Sequence, residues 1–273
     1  LALGCTQQQP ESLRLATFNI RYDNSGDGPN SWPHRKDSIC AFIHRVDPDI
    51  IDMQEVLHHQ LEVLKTGLPE YTVVGVGRED GKTAGEYAPI FFKQAKYTLL
   101  DQNTFWLCEK PDSVGMVGWD AALTRIATWV KLQDKKTGQI LMVVNTHFDH
   151  IGTEARRNSA LLIIEKIKEI VGTSPAILTG DFVSEDWDAY KTITNNEFIL
   201  KDAHKVAGKR TGVDFTYHNF GKIPAEKCEK IDFIFVTPQI RVISSYIPFS
   251  QLNDTLFLSD HNPEIVELEI EKS

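Results

Sequence analysis

The chain has no apolar run approaching the ~20 residues that a membrane-spanning helix needs, so its body is expected to be soluble. It also has no excess of basic residues: 29 Lys and Arg stand against 38 Asp and Glu, a formal net charge of −9. That balance excludes a protein that coats polyphosphate with a basic stripe, but not one whose phosphate ligand meets a cation held by carboxylates. Only four cysteines occur, Cys5, Cys40, Cys108 and Cys228, with no C-x-x-C pair and no histidine at zinc-site spacing, which argues against a zinc module. No Pro/Gly/Ser-rich stretch is long enough to be a linker and no period repeats. One domain over residues 13–273 is expected.

Hydrophobic residues make up 41% of the 273-residue chain, which is ordinary for a globular protein. Their spacing predicts strands at 13–20, 49–55, 71–76, 88–93, 97–106, 125–132, 140–145, 175–182, 231–236, 240–247 and 264–270. Helices are predicted at 39–46, 58–67, 154–171 and around 187–194. The third is the clearest, with Ala160, Ile163, Ile164, Ile167 and Val171 on one stripe and Gly172 placed to end it. Strands outnumber helices and often follow one another directly. Stacked sheets flanked by helices suit that pattern better than a regularly alternating parallel sheet.

Polar clusters close many of the apolar runs. Thr17-Phe18-Asn19-Ile20-Arg21 ends the first strand, Gln54-Glu55 ends the second, and Gly85-Glu86-Tyr87 precedes the fourth. Asn145-Thr146-His147-Phe148-Asp149-His150, Gly180-Asp181-Phe182 and Ser259-Asp260-His261-Asn262 follow. Carboxylates, imidazoles and amides at strand ends along a whole chain describe a composite active site, and hence an enzyme. Each alone has a plainer reading: Glu55 as a solvated acid, Asn19 as a turn residue. Asp232, among Ile231, Phe233, Ile234 and Phe235, is costly unless paired, or else faces solvent from an edge strand.

In order and spacing these clusters resemble the endonuclease/exonuclease/phosphatase superfamily, over about residues 13–271. The resemblance implies a four-layer α/β/β/α sandwich like that of pancreatic deoxyribonuclease, with two mixed sheets face to face and helices outside. It implies hydrolysis of a phosphoester by metal-activated water, as a phosphodiesterase, nuclease or phosphomonoesterase, usually with Mg2+, with Mn2+ or Ca2+ as alternatives. It puts Glu55, Asn19 and Asp260 at the metal and Asp181 on the attacking water. His147 and His261 are expected on the phosphate, backed by Glu86 and Asp232 respectively. A carboxylate behind His147 would keep it protonated, and by residue type Asp260-His261 reads as a metal-side acid and a general base.

Arg21, Arg35, Asp149 and His150 are candidate substrate contacts, with Trp32 and Arg35 on a Gly/Asn-rich loop. An equal reading has Trp32 packing the loop and Arg35 capping a helix. Arg125 and Arg156-Arg157 border the expected site, and Trp119 and Trp187 offer platforms for a ring. There is no long basic insertion to grip a duplex and no membrane-inserting aromatic hairpin, so the expected partner is a small or exposed phosphoester and the expected state a monomer.

One position departs from the family pattern. Two residues after Asp181 the family has Asn, and this chain has Val183, which neither donates nor accepts. Losing one positioned polar group at such a site costs on the order of 10² to 10³ in rate. Three explanations compete: Ser184 or Asn145 substitutes, the chain is a catalytically impaired phosphate-ligand-binding protein, or Val183 is an introduced change.

Leu1-Ala2-Leu3-Gly4-Cys5, followed by the polar string Thr6 to Pro10, resembles the end of a bacterial lipoprotein signal with Cys5 as lipid acceptor. Residues 1–12 are then a tether, and the protein belongs in the bacterial cell envelope, periplasmic or at the surface, touching membrane only through that anchor. The plainer reading is a frayed terminus with an incidental cysteine.

Overall fold

A computed structural model describes residues 12–183, 188–195 and 200–271; Cys5, Ser184 and Trp187 lie outside them. Its strands are β1 (Ser12–Asn19), β2 (Ile50–Gln54), β3 (Tyr71–Val74), β4 (Ile90–Lys93), β5 (Tyr97–Trp106), β6 (Ile126–Asp134), β7 (Ile140–His147), β8 (Ala176–Asp181), β9 (Lys201–Asp202), β10 (Lys209–Gly212), β11 (Asp232–Val236), β12 (Ile240–Ile247) and β13 (Glu264–Ile270). They form two mixed sheets, ordered β10-β12-β13-β1-β2-β4-β3 and β5-β6-β7-β8-β11-β9. The helices are α1 (Trp32–Val46), α2 (His58–Gly67), α3 (Thr153–Val171), α4 (Asp188–Thr194) and α5 (Ala203–Val206).

Strand alternation builds the layers, because successive side chains point to opposite faces. Leu13 and Leu15 of β1 and Leu141 and Val143 of β7 meet in a core between the sheets, with Ile50, Ile177, Ile234 and Val266. The outward set of the first sheet, Ala16, Phe18, Ile51 and Met53, packs α1 and α2 through Ile39, Phe42, Ile43 and Leu64. The outward set of the second, Met142, Val144, Leu178 and Phe233, packs α3 and α4 through Ile163, Ile167, Tyr190 and Ile193. This is the expected α/β/β/α sandwich. The first strand and the last are neighbours, antiparallel from Ser12↔Glu269 to Thr17↔Glu264.

The largest difference from the sequence reading is at α1, which begins at Trp32 rather than Ile39. Pro33 stands in the first turn, where a missing N–H leaves nothing unpaired. Trp32, Arg35, Ile39, Phe42 and Ile43 then share one buried face, which takes Arg35 off the loop and into the protein. No helix among the described residues is long and apolar enough to cross a membrane.

Candidate active site

Along five strands the residues facing the inter-sheet layer change from apolar to polar toward the same end of the sandwich. Leu15 gives way to Thr17 and Asn19, Ile50 to Asp52 and Gln54, Val143 to Asn145 and His147, Ile177 to Thr179 and Asp181, and Ile234 to Asp232. The middle of this polar layer joins the sheets. Gln54 Nε2 donates to Thr17 Oγ1 (3.0 Å) and Asn145 Oδ1 (2.7 Å), while Asn145 Nδ2 donates to Met53 O (2.7 Å) and Pro89 O (2.9 Å). Asn145, fully buried and committed on both ends of its amide, cannot replace the one missing at Val183.

Beyond that layer the strand ends converge. Register places His147 level with Asp181 and Asp181 level with Asp232 on β7, β8 and β11. Gly180 allows the close approach, since a Cβ there would stand 2.1 Å from Thr146 O. From the other sheet Asn19 Nδ2 donates to both Asp181 Oδ2 and Glu55 Oε1, each at 3.1 Å. Glu55 and Arg21 follow their strands with φ of 59° and 60°. That left-handed backbone costs an L-residue roughly 1–2 kcal/mol. The two side chains lie 3.8 Å apart, and Arg21 also lies 3.9 Å from Asp260 and 3.0 Å from Asp27. Ser259 Oγ donates to Asn19 O at 2.7 Å, which ties the Asp260 loop to β1.

The acids crowd one another. Burial, with the charges of Asp232 and Glu55, pushes Asp181 up to about 7, and burial with the charge of Glu55 raises Glu86. Oxygen ligands packed closely enough to raise one another's proton affinity are the donor set of a hard divalent cation. Asp181, Asp232 and His261 bring ligand atoms within 4.8 Å of one another. The oxygen donors gathered beside this cluster, Glu55, Asp260 and the amide of Asn19, fit a divalent metal.

The two histidines differ in charge. His261 Nδ1 lies 2.8 Å from Asp232 Oδ2. Burial disfavours its proton, but the charge and hydrogen bond of Asp232, with Asp260 and Asp181, outweigh burial and push it up to about 10. That direction favours an imidazolium at neutral pH, a form suited to facing negative charge rather than to taking a proton from water. His147 is neutral, because burial and the positive charges of Arg125 and Arg78 hold it well below its ordinary value. Glu86 does not keep it protonated. That carboxylate lies 3.9 Å from His147 Nδ1 and pairs instead with Arg78 Nη1 at 2.8 Å.

Two expected substrate contacts are closed to solvent. Asp149 is 2% exposed and accepts from the backbone N–H groups of Ala122, Leu123, Ile151 and Gly152, so it organises two loops. Burial works against its charge, but these amides hold the carboxyl down at about 2. Arg35 is 0% exposed and donates to backbone carbonyls. His150 remains exposed at 3.2 Å from Arg125 Nη2, while Trp119 lines a groove with Cys108, Leu161 and Leu162 of α3. Val183 has φ 77°, a region unusual for a β-branched residue, and its N–H donates to Asp181 Oδ1 at 3.2 Å.

Arg78 and Tyr217 join the site without a sequence signal. Arg78 reaches Glu86 across the turn closed by Arg78 N donating to Glu86 O, and Tyr217 meets His261 through an isolated bridge, ring centroids 5.0 Å apart.

Known proteins share this arrangement of the chain. A solved endonuclease/exonuclease/phosphatase from Bacteroides vulgatus superposes with a TM-score of 0.93 and 62% identity, covering 96% of this chain and 100% of its own. A mannosyl-6-phosphatase from Bacteroides thetaiotaomicron superposes with a TM-score of 0.88 and 36% identity, covering 94% and 99%. An uncharacterised protein of Acanthamoeba polyphaga mimivirus is 29% identical over 252 residues, 87% of this chain and 92% of its own. The profile of the Endonuclease/Exonuclease/phosphatase family matches residues 16–261, and the chain belongs to that family.

Proposed function

We propose that this chain is a divalent-metal-dependent phosphoester hydrolase whose substrate is a small phosphomonoester, foremost a sugar phosphate. The observation that carries the reading is the convergence of Asp181 with a charged His261–Asp232 pair and a neutral His147, 3.8 and 3.6 Å from Asp181 respectively. The likeness to a mannosyl-6-phosphatase over 94% of the chain supports the sugar-phosphate class.

Glu55, Asn19 and Asp260 would hold the cation, which when bound supplies positive charge to phosphate oxygens. Asp181, raised to about 7, is a base matched to removing a proton from water near neutral pH. Asn19 Nδ2 and the N–H of Val183 fix its two oxygens. His261 sets a positive charge against the negative charge that grows on the phosphate, and His147 offers a neutral N–H. Arg21, partly exposed beside Asp260, contacts the substrate's polar groups, with His150 at the rim. Cys5 serves as the lipid anchor in the cell envelope; fatty-acid labelling lost in Cys5→Ala is the expected result.

Val183 favours a second reading, a protein that binds phosphate ligands with little turnover. Mannose 6-phosphate, p-nitrophenyl phosphate, its bis ester and plasmid DNA, assayed with Mg2+ or Mn2+ and with chelator, separate the two. Metal-dependent release of phosphate from the monoesters, abolished in Glu55→Ala, supports the enzyme. Turnover that appears only in Val183→Asn supports the second reading, and no turnover or ligand binding in either protein overturns both.

A further inference from the structure

We infer that Arg35 is a positioning residue for the cation corner, fixing the spacing between Asn19 and Asp260 by tying together the backbone segments that carry them. This rests on the metal corner proposed above. Arg35 Nη1 donates to Ile20 O (2.8 Å) and Leu258 O (2.6 Å), Nη2 to Arg21 O (3.3 Å), and Nε to Asn30 O (2.5 Å). Ile20 and Arg21 directly follow Asn19, and Leu258 stands two residues before Asp260. The guanidinium also lies against the rings of Trp32 and Phe220, at 5.8 and 5.9 Å. A second tie runs parallel to the first: Asn30 Nδ2 donates to Thr255 O (3.1 Å), and Asn30 Oδ1 accepts from Phe257 N (2.8 Å).

A fully buried cation is costly, and among the described residues no carboxylate lies within ion-pair distance of Arg35. If the position served only to pack α1 on the sheet, an apolar side chain would do it better. What the guanidinium adds is a planar fork that satisfies four carbonyls at fixed angles. Three of them, those of Ile20, Arg21 and Leu258, belong to segments flanking the corner, the fourth, Asn30 O, precedes α1, and Asp260 is the acid whose charge acts on Arg35 most. Lysine keeps the charge but, with one nitrogen, cannot span the same four oxygens. A small hard cation demands near-ideal ligand geometry, so a shift between Asn19 and Asp260 falls first on metal affinity.

The test is Mn2+ binding to the metal-free full chain by calorimetry, beside thermal melts, for wild type, Arg35→Lys, Arg35→Met and the α1 core control Phe42→Ala. Loss of a residue that orients ligands weakens metal binding about 10–100-fold, and that is the result expected for both Arg35 variants. The control should melt earlier with unchanged Mn2+ affinity, and excess Mn2+ should restore turnover to Arg35→Lys. Unchanged Mn2+ affinity in a folded Arg35→Lys overturns the inference while leaving the enzyme reading intact. A wild type that binds no Mn2+ overturns the metal corner itself. If neither Arg35 variant folds, Asn30→Ala decides: weakened Mn2+ binding supports the inference and unchanged binding overturns it.

Discussion

His261 Nδ1 sits 2.8 Å from Asp232 Oδ2 inside the protein, and the other oxygen of Asp232 has no hydrogen-bond partner. The carboxylate therefore depends on the imidazolium as much as the imidazolium depends on it. Asp232→Asn keeps the shape but removes the foremost of the charges that outweigh burial, so His261 should lose its proton at a lower pH than in wild type. In the proposed reaction the imidazolium faces the phosphate, so activity should be lost as pH rises through the pair's apparent pKa. In Asp232→Asn that alkaline limb should move to lower pH, with kcat/KM at pH 7 down by about 10²–10³. An NMR titration that finds His261 losing its proton at the same pH in this variant as in wild type would contradict the assignment.

Val183 combines two defects that substitution can separate. Its φ of 77° strains a β-branched residue, and its side chain offers no polar group of its own to the site beside Asp181. Val183→Gly and Val183→Asn should both stabilise the protein by about 1 kcal/mol through relief of backbone strain. Only Asn adds a donor and an acceptor, and it should raise kcat by at least about tenfold. Equal kcat in the two variants would show that no amide is wanted there.

The legible part of the site is the part that strands present. Asn19, Glu55, His147, Asp181 and Asp232 adjoin runs whose two-residue period decides both the strand and the face, so their convergence follows from the sheet order. Arg35 is different, because Gly26, Gly28 and Asn30 before it signal loop and hide the helix start at Trp32. Its spacing from Trp32, Ile39 and Phe42 nonetheless puts a guanidinium on an apolar stripe, which marks an internal cation. The choice of Arg78 over His147 by Glu86 is a difference of about an ångström between non-local approaches, and no pattern in the sequence records it. β9 has only two residues, and β10 is polar and exposed along its whole length, so neither shows an apolar period.

Asp52 is fully buried, its Oδ2 2.7 Å from Thr179 Oγ1 and its Oδ1 without a partner. Burial pushes this carboxyl from its ordinary 3.8 up to about 8. The folded state thus holds the proton more tightly than the unfolded one. Its contribution to stability is complete below the unfolded value and is lost as pH rises from there to about 8, by up to about 1.4 kcal/mol per pH unit. Asp52→Asn still bonds Thr179 but cannot ionise. Urea unfolding should show its advantage over wild type growing from pH 5 to pH 8, and an advantage independent of pH would mean that Asp52 is charged in the folded protein.

Metal removal tests where the cation resides. Glu55, Asp181 and Asp260 gather like charges, and Arg21 is the cation within ion-pair distance of Glu55 and Asp260 among the described residues. A divalent ion bound there favours the folded state alone, so at a hundred times its Kd it should stabilise the protein by about 2.7 kcal/mol, a gain that chelator removes. Two carboxylate sets could provide the site, Glu55 with Asp260 or the cluster of Asp181, Asp232 and His261. Glu55→Gln discriminates between them, since it removes a charged ligand from the first set and no ligand from the second. The metal-induced rise in melting temperature should largely vanish in Glu55→Gln and persist in Asp52→Asn, which lies in the polar layer below. A rise that survives Glu55→Gln would move the cation to the cluster around Asp181, where it would compete with His261 for Asp232.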